Sequence, residues 1–251
     1  MKVAKLLGAV GALVLLACTP VRADGSSWTG LYVGAHAGYG WGNWDADLSH
    51  SSGAIHYNDP FNQANQSLGV SDNWLGGFQA GYNHQFGSLI IGLEADVSWT
   101  GMDAHGQFTT PAPIHTTWDI DTSLDVFGTV RAKVGHTVSD NLLVYVTGGF
   151  AWGRVDARQA TNWYAPAPPA EGGRTSGDVN HFGWALGAGA EWAISPNVSI
   201  QGQYLYVDLG KENYALNGTQ KPNNNVPYTE TFATDLDFHT VRIGVNYRFG
   251  G

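Results

Sequence analysis

Glu94 and Asp96 stand two residues apart, and so do Arg131 and Lys133. In an extended strand that spacing sends both members of a pair to one face. Glu94 lies five residues into one period-two stretch and Lys133 five from the end of the next, so antiparallel pairing sets acids opposite bases at similar depth. Asp125, Glu191, Arg242 and Arg248 fall on the same polar register of their own stretches. A charge held away from water persists when it is paired and hydrogen-bonded. Two readings of such a set are open: a salt-bridged plug, or the lining of a narrow ion path. Arg242 is expected to pair with an acid such as Glu191.

Other chemistry is sparse. The chain has no G-x-S-x-G, H-E-x-x-H, P-loop or cysteine-based zinc pattern. His50, His56, His105 and His115 fall in polar segments, with His181 and His239 nearer the strands, and none has the spacing of a metal-ligating helix. No catalytic, cofactor-binding or metal-ligating residue is assigned. Asp45/Asp47, Asp119/Asp121 and Asp235/Asp237 form carboxylate pairs near strand ends. They read as solvated charge, or as sites where divalent cations bridge to anionic lipid phosphates. A Ser/His pair able to modify lipid would need His239 with Ser98 or Ser123, and these make no recognisable set.

The stretches that must position these residues alternate with period two. They are Leu31–Trp41, Trp74–Phe86, Leu89–Trp99, Thr122–Val138, Leu142–Val155, His181–Ile194, Val198–Leu209 and His239–Phe249. One register is apolar throughout. In the fourth it holds Leu124, Val126, Val130, Ala132, Val134 and Val138. Most exceed the ~9–11 residues of a tilted membrane strand. Gly87-Ser88, Ser139-Asp140 and Ser195-Pro196-Asn197 are tight turns, whereas 42–73, 100–121, 156–180 and 210–235 are long polar connections. Short turns at one end and long loops at the other predict an all-β fold, an eight-stranded antiparallel up-and-down transmembrane β-barrel. Its turns would be periplasmic, its loops extracellular and both termini periplasmic.

Aromatic residues on the apolar register gather near strand ends. Trp41, Trp74, Trp99, Trp152, Trp184 and Tyr206 lie toward the long loops; Phe86, Trp192, Tyr247 and Phe249 lie toward the short turns. Two such belts are what interface-seeking rings produce.

Composition agrees. Aromatics make up 12% and charged residues only 13% of 251 residues, with 34 glycines, which suits curved, closely packed strands better than disorder. Lys2 and Lys5, the apolar run Leu6–Ala17 and Val21-Arg22-Ala23 read as a signal peptide over 1–23, leaving one barrel domain over 24–251. The competing reading is lipidation at Cys18, the single cysteine, after Leu15-Leu16-Ala17. A net charge of −9, more acidic once Lys2, Lys5 and Arg22 leave, argues against nucleic acid as a partner.

Three separated blocks resemble the porin-like outer-membrane β-barrel family of alphaproteobacteria, the outer membrane immunogenic proteins. They are Trp28-Thr29-Gly30-Leu31-Tyr32-Val33-Gly34-Ala35-His36-Ala37-Gly38-Tyr39-Gly40, Gly76-Gly77-Phe78-Gln79-Ala80-Gly81-Tyr82-Asn83 and Thr240 to Phe249. The resemblance implies a surface-exposed antigen that supports envelope integrity or adhesion, with outer-membrane lipids and lipopolysaccharide as surroundings. It also implies that Tyr247 and Phe249 form the signal read by the barrel-assembly machinery, here followed by Gly250-Gly251. An ion- or solute-conducting porin is the alternative, and a lipid-modifying enzyme a more distant one.

Overall fold

A computed structural model describes residues 27–50, 63–109, 115–164, 174–220 and 226–249. The expected leader, Cys18 and the Gly-Gly tail lie outside them. Among the described residues nine strand segments form one sheet: β1 (Gly30–His50), β2 (Gln63–Ser71), β3 (Asn73–Phe86), β4 (Leu89–Thr109), β5 (His115–Ser139), β6 (Leu142–Tyr164), β7 (Arg174–Ala193), β8 (Val198–Gln220) and β9 (Val226–Phe249). Every pairing is antiparallel, and each neighbour in the ring is next in sequence once β2 and β3 are counted together. Only Asp72 separates those two, and both lie between β1 and β4, so they form one stave. Eight staves therefore close, with β9 pairing β1 from Leu31↔Phe249 to His50↔Glu230.

The staves are longer than the periodic stretches predicted. β6, for instance, runs 23 residues, about 75 Å at ~3.3 Å per residue. Tilted by ~40°, it rises roughly 58 Å, more than twice the ~25 Å apolar band of an outer-membrane barrel. Much of 42–73, 100–121, 156–180 and 210–235, expected as loop, is thus paired strand. The reason lies in the side chains. On β4 the inward residues pass from Glu94, Asp96 and Ser98 to Met102 and Ala104, while the outward ones pass from Leu93, Val97 and Trp99 to Asp103 and His105. The parity of the strand is unchanged, but the chemistry of its two faces swaps.

The same swap occurs around the wall. On β8 the inward residues change from Gln201 and Gln203 to Leu205, Val207 and Leu209, and on β9 from Arg242 and Thr240 to Phe238 and Leu236. Outward residues change from Trp152 to Arg154 on β6 and from Val241 to Asp235 on β9. The barrel therefore has a membrane half, apolar outside and polar within, and an extension with a polar exterior and an apolar core. That core comprises Trp44, Leu68, Leu75, Met102, Ile120, Leu124, Phe127, Val155, Leu205, Val207, Leu209, Leu236 and Phe238, with smaller residues between them.

Bulges fall at the junction of the two halves. Pairing shifts between Trp99 and Met102, between Leu124 and Val126, and between Asp208 and Lys211. The β5 bulge corrects two expectations. Asp125 is left out of the ladder and points outward, and Leu124 packs in the core instead of facing lipid. One extra residue in a strand reverses the faces beyond it. In β8 the bulge is accommodated by Gly210, whose φ of +68° favours a residue without Cβ.

Candidate functional site

Seen from the end that carries the short turns, the lumen is filled in three tiers. The lowest is a small cluster of Trp28, Ile90, Leu143 and Tyr145. The Arg248 guanidinium lies 4.5 Å from the centre of the Trp28 ring and donates to the Ser27 carbonyl at 3.0 Å.

The middle tier is ionic. Pairing places Glu94 opposite Arg131 and Asp96 opposite Thr129. Glu94 accepts from Arg131 at 2.6 Å, from Lys133 at 2.8 Å and from the Tyr32 hydroxyl at 2.6 Å. Asp96 accepts from Arg131 at 2.8 Å, from Arg242 at 2.9 Å and from Thr129. Gln203 extends the net, accepting from Arg131 at 3.2 Å and donating to Tyr145 at 3.1 Å. Lys133 also sits over the rings of Tyr32 and Tyr145, at 5.0 and 4.5 Å. All of these side chains are buried. Two carboxylates thus share three cations, and each oxygen is occupied. The arrangement can hold charge in place; it offers no free acid or base.

Glu191 occupies a separate pocket of contacts. It accepts from Ser199 and, at 3.2 Å, from Asn246, and its nearest cation is Arg248 at 3.8 Å. The expected Arg242–Glu191 pair is therefore replaced by Arg242–Asp96 and Arg248–Glu191. The offset follows from register: Glu191 is level with Gln201, which pairs with Gly244, so Arg242 lies further toward the extension.

Residues that sequence reasoning passed over complete the tier. His36 contacts Gln79 at 3.0 Å and Ser98 at 2.9 Å, and Gln79 donates to Asn246 at 2.6 Å. Ser98 therefore faces His36 and not His239, which instead contacts the Tyr204 hydroxyl at 2.7 Å. The Ser98–His36–Gln79 chain has the order of a nucleophile, base and orienting group. It is buried at every member, beneath the apolar tier. Polar residues set among the glycines of one inward register, as with Tyr32 and His36 either side of Gly34, are the signal that could have found it.

The upper tier is the apolar core of the extension. Phe127 and Phe238 meet edge to face at 5.0 Å, and Arg242 lies 5.2 Å from the Phe127 ring, joining the tiers. On the outer wall Trp74, Trp99 and Trp184 are exposed and Trp41 and Trp152 half-buried, at the junction of the halves. Phe86, Trp192, Tyr247 and Phe249 are exposed at the opposite end. Trp41 stacks on His239 at 5.7 Å, His239 meets Tyr206 at 5.0 Å, and Tyr206 meets Trp184 at 5.4 Å.

Above these rings the exterior is charged. His105 contacts Asp121 at 2.7 Å, Gln107 donates to Asp119 at 2.7 Å, and Arg154 pairs with Asp178 at 2.9 Å. The carboxyl of Asp156 is raised from the ordinary range by partial burial, and then by its hydrogen bond with Asp125 and that group's charge. Partial burial and the facing Asp208 raise Asp237 as well, against the pull of His239. Asp45 and Asp235 are exposed and level with each other across β1 and β9. His50 and His115 end β1 and begin β5, and His56 lies outside the described residues. Among the described residues no group of three or more His, Cys, Asp or Glu side chains is placed to hold a metal ion.

A closed antiparallel ring with an apolar band between two aromatic girdles and a polar, filled lumen defines an outer-membrane β-barrel protein. Residues 9–249 match the family model of the outer membrane protein beta-barrel domain, and the chain belongs to that family. It is similar to the 31 kDa outer-membrane immunogenic protein of Brucella melitensis biotype 1, 36% identical over 92% of this chain and 88% of the relative. The 22 kDa outer membrane protein of Rhizobium leguminosarum bv. viciae is 24% identical over 92% of this chain and 82% of that protein. Among solved structures, the outer membrane protein OprG from Pseudomonas aeruginosa aligns with a TM-score of 0.47 at 10% identity, covering 91% of this chain and all of that one.

Proposed function

We propose that this outer-membrane barrel is a closed, non-enzymatic surface protein. Its membrane half anchors a rigid, acidic extension on the cell exterior, where it acts as an antigen and contributes to envelope integrity and adhesion. The observation that carries this reading is the filled lumen: the Glu94–Asp96–Arg131–Lys133–Arg242 network lies directly beneath an apolar core. A permeating ion would have to break paired charges and then cross a hydrocarbon-like layer, and eight staves enclose only enough space for side chains. Both termini are periplasmic in this orientation, since Gly87-Ser88 and Asp140-Asn141 turn at the same end as Phe249. The outer rings and carboxylates then meet lipopolysaccharide, and Tyr247 and Phe249 are left exposed for the barrel-assembly machinery. Named relatives in the family are immunogenic outer-membrane proteins.

Planar-bilayer recording of the purified protein tests the reading. No steady current is expected, and a reproducible unitary conductance would replace it with the porin alternative. For the enzymatic alternative, a serine-reactive fluorophosphonate probe is expected to leave Ser98 unlabelled, because no substrate reaches it.

A further inference from the structure

The inward glycines of the membrane half decide how its lumen is filled. A Cβ on Gly81 would overlap the Tyr32 hydroxyl, one on Gly92 the Asn83 amide, and one on Gly189 the Tyr145 hydroxyl. A Cβ on Gly135 would likewise press on Leu143. Each of these side chains therefore lies sideways across a neighbouring strand, along the wall. Eight staves enclose a space that inward-pointing side chains would just fill. Side chains laid against the wall leave room nearer the axis.

Around that room the polar groups are incompletely matched. Below the ionic tier, Trp28, Asn83, Glu191, Gln201 and Arg248 are all buried. Trp28 Nε1, Asn83 Nδ2 and Oδ1, Glu191 Oε2, Gln201 Nε2 and Arg248 Nε have no hydrogen-bond partner among the described residues. These groups are neighbours. Asn246 donates to both Glu191 and Gln201, at 3.2 and 3.1 Å, and Arg248 is the next inward residue on the same strand. The Arg248 side chain passes over Gly30, which pairs with Asn83, and its guanidinium covers the Trp28 ring. Arg248 also stops 3.8 Å short of Glu191, too far for a direct hydrogen bond and within the reach of a bridging water.

The mixture of donors and acceptors selects the ligand. A hard metal cation calls for oxygens alone and an anion for donors alone, whereas water serves both. We infer that the lower lumen is a hydrated chamber, in which ordered water bridges Arg248, Glu191, Gln201, Asn83 and Trp28. At ~3 hydrogen bonds per buried water, about two or three molecules match these atoms and span the gap between Arg248 and Glu191. The ionic tier roofs the chamber. Trp28, Ile90 and Leu143 floor it, with the Trp28 backbone N–H donating to Gln85 at 2.8 Å. On β8 the inward residues that follow Gln203 are Leu205 and Val207, which offer water no partner. Hydration is thus one-sided, and the barrel stays closed.

Water-edited solid-state NMR of the full chain in lipid bilayers tests the inference. Polarisation is expected to pass from water to the side-chain N–H groups of Asn83, Gln201 and Trp28, and several-fold less to the methyls of Leu205 and Val207. Asn83→Leu gives an independent reading. In a dry lumen, exchanging an unmatched amide for an apolar group of similar shape would raise the urea midpoint. Here it removes a partner of the bound water, and the midpoint is expected to fall. Heat-modifiable migration shows that the variant folds. The inference is overturned if the three N–H groups of the unaltered chain receive no water signal, or if Leu205 and Val207 receive as much. An unchanged or higher midpoint for folded Asn83→Leu overturns it as well.

Discussion

Below the tryptophan girdle this barrel is built like a membrane protein, and above it like a soluble one. In the membrane half, stability comes from lipid contact outside and ion pairing within; in the extension, from hydrophobic burial within and hydration outside. A single hydrogen-bonded wall carries both. The contrast shows that solvent, and not strand geometry, decides which face of an alternating strand is apolar. The inversion occurs at the same height inside and out: Ser98 to Met102 within, Trp99 to Asp103 without.

The most severe way to break the membrane half is to orphan its acids. Arg131→Ala leaves Glu94 and Asp96 each short of a partner, and uncompensated buried charge costs about 3–5 kcal/mol. Urea unfolding in detergent micelles should register that loss across the whole barrel. An undiminished midpoint would show that water already penetrates the tier.

Leu209→Ala attacks the extension instead. A buried leucine cut to alanine costs about 2–5 kcal/mol, and the effect should appear as protease cleavage of the extension on intact cells, with a membrane-embedded remnant surviving. Equal loss of the heat-modifiable form would mean that the two halves do not fail separately.

Conduction sharpens the comparison further. Arg131→Gly with Arg242→Gly removes cations from the ionic tier and leaves the apolar one in place. Bilayer current is expected to stay at baseline, and the appearance of channels would transfer the seal to the ion pairs alone.

The smallest effect is at the outer surface. The carboxyl of Asp156 is raised by burial and by Asp125, so its folded-state contribution is present below the ordinary aspartate range. That contribution is lost as pH rises through the raised value. Asp156→Asn should therefore stabilise slightly at pH 7 and have no effect at pH 3, as measured by thermal melting at the two pH values.

Much of the membrane half was legible because lipid enforces a strict alternation. Leu89–Trp99 shows its outward register residue by residue, and the depths of Glu94 and Lys133 set the acids of one stave near the bases of the next, although the pairing places Glu94 opposite Arg131. The extension was harder to read because its apolar residues change register: Met102 and Ala104 continue the parity of Asp96, so a reader following Trp99 sees the pattern dissolve into loop. Asp125 was misplaced because a bulge leaves no mark in a run such as Leu124-Asp125-Val126-Phe127, which has an apolar residue on each face. The partner of Arg242 depended on stagger between non-adjacent strands, which no single strand encodes.

The outward charges of the extension bear on how the barrel enters the membrane. Asp103, Asp121, Arg154, Asp178 and Asp235 all point away from the wall, and in the proposed orientation they must reach the far side of the bilayer. A cation at the midplane of a barrel's lipid face costs about 2–4 kcal/mol, and an acid less, so a preformed cylinder cannot slide through lipid extension first. Insertion must thread these strands through a wet passage and let the wall meet hydrocarbon only once the tryptophans reach the interface. The girdle is in that sense a stop: it fixes how far the chain travels before it becomes a barrel.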